Sequence, residues 1–268
     1  MRINDVHLHT SRMSGIDMEL ISVGGVEAGI APTEHILAGI NSGEVVMQYW
    51  RRALGYEISH AKSLGIELFI GLAVPYYGVT PEGMEECLKE IPVYIKENRD
   101  RVVAIGETGF NVGINDEVRP FRTHLRLAKE FNLPVIVHTA CPQEPEDTVI
   151  RTTKQAIEII KEENFPIERA VLDETGLNTI EMRLESGAMV NLGVCYDKLR
   201  PDDVVEILKK YPEKRDQFMV SSMLGSTGGG YFSVPRTVLA MRMAGLKREE
   251  IKQVIWENPK HFYNLPLD

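Results

Sequence analysis

His7 and His9 in D-V-H-L-H, Glu107 in V-A-I-G-E-T-G and His138 in P-V-I-V-H-T are residue types that hold divalent metal ions. Each falls at the end of a short apolar, β-branched run. Residues two apart in a strand point to the same side, so the imidazoles of H-x-H can meet at one point. Glu107, with two carboxylate oxygens, can bridge two ions, and His138 then completes a second site. Imidazole nitrogen with carboxylate oxygen suits zinc first, then manganese, iron or nickel, ahead of magnesium or calcium. The chemistry implied is a water activated by one or two divalent ions. Asp173 and Glu174 in A-V-L-D-E-T-G add two carboxylates at a further strand end. Singly, each residue also has a structural role open to it: a capped strand end for H-x-H, a helix cap or solvated loop for Glu107, a bond to a backbone carbonyl for His138. Joint placement separates the set from those roles, because three of only seven histidines stand at predicted strand ends with a glutamate.

Something must bring these strand ends together. Strand-like runs cover 3–8, 26–31, 67–72, 102–106, 134–138, 169–173, 188–192 and 217–221, and helical spacing fills 44–64, 81–97, 115–131, 148–163, 177–186, 201–211, 235–244 and 248–258. A shorter helix is expected over 16–23. Pro81 and Pro201 suit first-turn positions, and Gly65, Gly187 and Gly245 suit helix exits. Eight βα units without a linker tract or a shift of composition predict one α/β domain over 1–268, a (β/α)8 TIM barrel. The alternative, a doubly wound open sheet, usually carries a glycine-rich fingerprint after its first strand, where this chain has H-L-H-T-S-R. In a barrel, the C-terminal strand ends form the active face.

Several other residues belong to that face by position. Arg12 follows the first strand and can meet an anionic substrate, as can Tyr76 and Tyr77 after the third. His35 lies just beyond the second strand. Ser221 and Ser222 adjoin G-S-T-G-G-G at 225–230, where barrels often hold a phosphate on backbone N–H groups; a long connection needing positive φ explains the glycines equally well. Cys195 and Tyr196 follow the seventh strand. Arg51, Arg52, His60 and His124 fall inside helices and read as surface or packing residues.

A net charge of −9 argues against a dedicated nucleic-acid binder, whose affinity comes from a concentrated basic face. Cys87, Cys141 and Cys195 are widely spaced, suggesting neither a disulfide framework nor a thiolate zinc knuckle. The N-terminus has no basic segment followed by an apolar one, and no apolar run reaches membrane-spanning length. A cytoplasmic protein acting on a small-molecule substrate, anionic if Arg12 lines the pocket, is expected, with no membrane partner. Oligomeric state has no signal.

The three ligand motifs, with the closing W-E-N-P-K-H-F-Y and the Ser11-Arg12 pair after H-x-H, resemble the TatD-related metal-dependent hydrolases, a branch of the amidohydrolase superfamily. The resemblance runs from Asp5 to Tyr263. It implies His7 and His9 on one ion, Glu107 bridging and His138 on the second. The chain departs from the pattern twice. The family's second-metal histidine after the sixth strand corresponds to Glu174, which can still ligate and makes that site harder, more manganese- or iron-like. The family's aspartate after the eighth strand falls in F-M-V-S-S-M-L-G, where Met223 or a neighbouring serine stands. Neither Met nor Ser offers a general base near neutral pH, which leaves Asp173, Glu174 or His35 to substitute.

Two functions from different classes follow. One is a metal-dependent hydrolase of an ester, phosphoester or amide, with Glu107, Asp173 and Glu174 as its catalytic carboxylates and Arg12, His35 and Ser222 facing the substrate. The other is a metal- or ligand-binding barrel that has lost hydrolysis or runs a lyase or isomerase step. A PHP-type phosphoesterase also begins with H-x-H, but it needs later His and Asp ligands, and the last third of this chain offers only His261.

Overall fold

The computed structural model describes residues 1–33, 42–75, 78–226 and 228–268. Eight parallel strands pair in chain order: β1 (Ile3–Asp5), β2 (Val26–Pro32), β3 (Glu67–Leu72), β4 (Val102–Gly109), β5 (Val135–His138), β6 (Ala170–Leu172), β7 (Met189–Gly193) and β8 (Phe218–Ser221). A sequential order excludes the doubly wound sheet, whose strand order reverses at a switch point. The two edges meet above the ladders of β1 and β8. Leu8 bridges Leu224, and His9 N donates to Leu224 O at 2.8 Å. Below this, the Asp5 carboxylate accepts Ser222 N at 3.0 Å, so a side chain ties β1 to the end of β8. The result is a nearly closed TIM barrel.

Helices α1 (Gly15–Val23), α2 (Gly43–Arg52), α3 (Ile58–Ser63), α4 (Pro81–Glu97), α5 (Asn115–Phe131), α6 (Glu146–Glu162), α7 (Ile180–Ser186), α8 (Pro201–Lys210), α9 (Ser233–Met243), α10 (Arg248–Lys252) and α11 (Asn258–Phe262) connect and follow the strands. Among the described residues, no helix is long and apolar enough to cross a membrane. Two expected helices are interrupted. A π-helical turn at Ala53–Glu57 separates α2 from α3, and another at Gln253–Glu257 separates α10 from α11. The first buries Glu57, whose carboxylate takes the hydroxyl of Thr10, the residue after His9, and pairs with Arg52 at 3.1 Å. Arg52 thus does more than decorate a surface.

The barrel interior is packed with Val6, Ile30, Phe69, Ala104, Ile136, Val171 and Met219, and Tyr263 and Leu265 join them from the C-terminal segment. A larger apolar layer, including Trp50, Phe121 and Leu208, seals the sheet against the helices. Asn258 Nδ2 donates to Phe218 O at 2.7 Å and Arg215 O at 2.8 Å, which pins the closing segment to the start of β8.

His124 on α5 is a packing residue, as its helical position suggests. It is fully buried; Val74 N donates to its Nε2 at 3.0 Å, so the neutral ring carries its proton on Nδ1, 2.8 Å from Thr108 Oγ1. Burial pulls its pKa from 6.5 down to about 3. The unfolded chain therefore takes up this proton before the folded one does. The His124 contribution is complete above pH 6.5 and is lost as pH falls toward 3, at ~1.4 kcal/mol per pH unit. Urea denaturation at pH 7 and pH 4.5 should show the protein losing roughly 2–3 kcal/mol from this residue. His124→Gln is expected to flatten the slope by that amount; an equal slope in the variant refutes the assignment.

Candidate metal centre

The site lies at the C-terminal strand ends. Past the β1 ladder, which stops at Asp5 rather than at the expected Leu8, His7 and His9 project into the barrel mouth, ring centroids 4.6 Å apart. The strand shortens because Asp5 turns its carboxylate to the backbone at Ser222 and, at 3.4 Å, to His7 N. Burial raises the Asp5 pKa to about 6 against these bonds.

Strand β4 runs three residues past its expected end at Gly106, so Glu107 sits within it. The glycines of I-G-E-T-G make this possible. A Cβ at Gly106 (φ 154°) would lie 2.5 Å from Ile136 Cβ, and one at Gly109 (φ 144°) would collide with the His138 carbonyl. Close approach of β4 to β5 brings Glu107 Oε1 within 2.5 Å of His138 Nδ1. The other oxygen, Oε2, lies 3.5 Å from His7 Nε2. Beyond β4, Glu117 on α5 gathers the backbone N–H groups of Asn111, Gly113 and Ile114 at 2.7–3.0 Å and fixes the turn that follows.

Two groups of potential ligand atoms result, His7/His9/Glu107 and Glu107/His138/Glu174, each with its atoms within 4.8 Å of one another. All five side chains are buried. The chemistry of the donors fits a divalent ion. His7 donates from Nδ1 to Asp173 Oδ2 at 3.0 Å, which fixes its tautomer and leaves Nε2 buried, with no hydrogen bond and facing Glu107. Electrostatics agree. Burial alone would lower the His7 pKa, but Asp173 and Glu107 raise it well above the usual value. Burial likewise opposes the charge on Glu107, yet His138 and His7 hold it well below the carboxylate range, and Glu107 in turn raises His138. The carboxylates around these rings favour positive charge at the centre.

Asp173 has both oxygens engaged. Oδ1 accepts Asn191 Nδ2 at 2.5 Å, and Arg183 holds the Asp173 carbonyl at 2.6 Å. Glu174, at φ 60°, places Oε1 3.9 Å from His138 Nδ1 and Oε2 2.9 Å from Lys198 Nζ. Despite burial, Lys198 and His138 keep this carboxyl below its usual value. At the end of β8, Asn191 Nδ2 also reaches Ser221 Oγ at 2.9 Å and lies 3.8 Å from the buried Met223 sulfur. Ser222 is turned inward, its Oγ accepting Leu224 N at 3.1 Å. Arg12 is half-buried, 3.4 Å from the Gly225 carbonyl. His35, Tyr76, Tyr77 and Thr227 lie outside the described residues.

Sequence reasoning missed Asn191, Lys198 and Arg183. Asn191 did leave a signal, a polar residue inside the apolar run M-V-N-L-G.

Comparison with known proteins gives a family and a fold. A family model described as TatD related DNase matches residues 5–222. An uncharacterized metal-dependent hydrolase of Methanocaldococcus jannaschii is 30% identical over 262 residues, 97% of this chain and 99% of that protein. Among solved structures, the TatD-like protein of Archaeoglobus fulgidus aligns with a TM-score of 0.78 at 21% identity, covering 98% of this chain and 100% of that one. The phosphotriesterase homology protein of Escherichia coli, solved with phosphate in its active site, aligns at 0.72 and 15% identity over 98% of both chains. At these identities the two structures speak to the fold.

Proposed function

The chain belongs to the TatD family of metal-dependent hydrolases, and from that premise we propose that it cleaves an ester, phosphoester or amide bond in a small anionic substrate. The observation that carries this reading is the sharing of Glu107 between two convergent ligand groups. His7, His9 and Glu107 would hold one divalent ion, zinc or manganese, with His138 and Glu174 on the side of Glu107 away from H-x-H. A bound ion there supplies Lewis acidity and a nucleophile from water near neutral pH. The other roles fall to the chain itself. Asp173 orients His7, and Asn191 and Arg183 hold Asp173 in place. Glu174 is the carboxylate that would accept a proton from water, since both Asp173 oxygens are engaged and Met223 accepts none. Arg12 provides positive charge beside the mouth. The net charge of −9 favours a small molecule over a nucleic-acid backbone.

The buried thioether of Met223 beside Asn191 favours a second reading, a barrel whose hydrolysis has decayed or been replaced by other chemistry. One assay separates the two. Purified protein is offered p-nitrophenyl esters, phosphate mono- and diesters and anilides, before and after chelation. Turnover of at least one class, abolished by chelator and restored by zinc or manganese, is expected. If no class is turned over by metal-loaded protein while Met223→Asp gains phosphodiesterase activity, the decayed reading replaces ours.

A further inference from the structure

Resting on that hydrolase reading, we infer that the Lys198 ammonium is the resident cation of the Glu107/His138/Glu174 half of the centre, so that the chain takes one divalent ion, at His7, His9 and Glu107. Lys198 lies in the connection after β7, and its side chain is only 4% exposed. A buried ammonium needs a partner, and Glu174 Oε2 at 2.9 Å is that partner.

The position is built by the backbone. Lys198 N donates to Cys195 O at 3.3 Å, Leu199 N to Gly193 O at 3.3 Å and Tyr196 N to Gly228 O at 3.0 Å, which folds the connection over the strand ends. Gly193, the last residue of β7, has no side chain there. A Cβ on it would lie 2.8 Å from Met223 Cγ and 3.8 Å from Lys198 Cδ, so the lysine stem and the methionine share the space above one glycine. Lys198 thus delivers a fixed charge directly against Glu174. An ion set among Glu107, His138 and Glu174 would have an ammonium within ion-pair distance of one of its own ligands. In a site closed to water that repulsion is poorly screened.

Metal stoichiometry tests this without any assay of turnover. Protein loaded with zinc or manganese and freed of excess is analysed for ions per chain, and titrations with the same metal give affinities. Wild type is expected to hold one ion, and Glu174→Gln also one, with its affinity changed less than about threefold. Lys198→Met, similar in length and uncharged, frees Glu174 and is expected to bind a second ion at least tenfold more tightly than wild type does. Two ions in wild type, one of them lost in Glu174→Gln, would overturn the inference and leave the hydrolase reading standing. So would a single ion in folded Lys198→Met with no gain in second-site affinity. No ion in wild type would overturn both. Circular dichroism reports whether Lys198→Met folds; if it does not, the wild-type and Glu174→Gln ratios decide.

Discussion

Glu107→Gln is expected to empty the centre: metal content falls to about a tenth of the wild-type value, and any metal-dependent turnover falls by ~10³-fold or more. The size of the effect follows from the position of Glu107. It is the only carboxylate in the His7/His9 group, and it also belongs to the second group. An amide of the same shape keeps one neutral oxygen and loses the charge that offsets the ion. It also leaves His138 without the carboxylate that orients its ring at 2.5 Å, and removes the charge 3.5 Å from His7 Nε2. A histidine replacement removes less, because two ligands of the first group and the bridging charge survive. His9→Gln is accordingly expected to retain more metal than Glu107→Gln. Elemental analysis on proteins purified in parallel reads the difference, and a full metal complement in Glu107→Gln would remove Glu107 from the centre.

Four of the site residues are legible in the sequence because a barrel puts its chemistry where apolar runs end. His7, His9, Glu107 and His138 each interrupt such a run, and β-branched patterning located all eight strands to within a few residues. The errors have physical causes. Strand β1 ended early because a side chain, Asp5, replaced ladder bonds, and β4 ran on because two glycines permitted an approach to β5 that periodicity does not register. The π-helical turns were invisible because the extra residue leaves helical spacing nearly intact. Lys198 and Arg183 are a deeper failure. Each is a long cationic side chain in a polar stretch, where solvent exposure is the default, and each is buried by partners from other βα units. Only the closed barrel makes those partners neighbours. The departure at Glu174 is legible in its motif, but its meaning depends on Lys198, 24 positions further along the chain.

Arg183 carries the largest expected loss of stability. It lies on α7, wholly buried, and its guanidinium donates to Asp173 O at 2.6 Å, Thr139 Oγ1 at 2.7 Å, Thr179 Oγ1 at 3.0 Å, Glu174 O at 3.2 Å and Thr153 Oγ1 at 3.3 Å. Burial lowers its pKa to about 10, which still leaves it charged at neutral pH. Among the described residues no carboxylate touches it directly; carbonyls and hydroxyls from four segments do. Substituting an apolar residue removes the cost of burying a charge, and in some proteins that gain wins. Here the acceptors stay behind. The Glu174 carbonyl and three threonine hydroxyls lose this donor in a space closed to water, and the Asp173 carbonyl keeps only Thr139 Oγ1 at 3.3 Å, at ~1–3 kcal/mol for each group left unsatisfied. Arg183→Met should therefore destabilise the protein by about 3–5 kcal/mol, read as a lower urea midpoint with an unchanged slope. Arg183→Lys keeps the charge but cannot span five acceptors, and an intermediate loss is expected. The same contacts hold Asp173 against His7, so a folded Arg183→Lys should also bind metal more weakly. Unfolding of Arg183→Met at the wild-type urea midpoint would mean that the connection after β6 keeps its shape without the guanidinium.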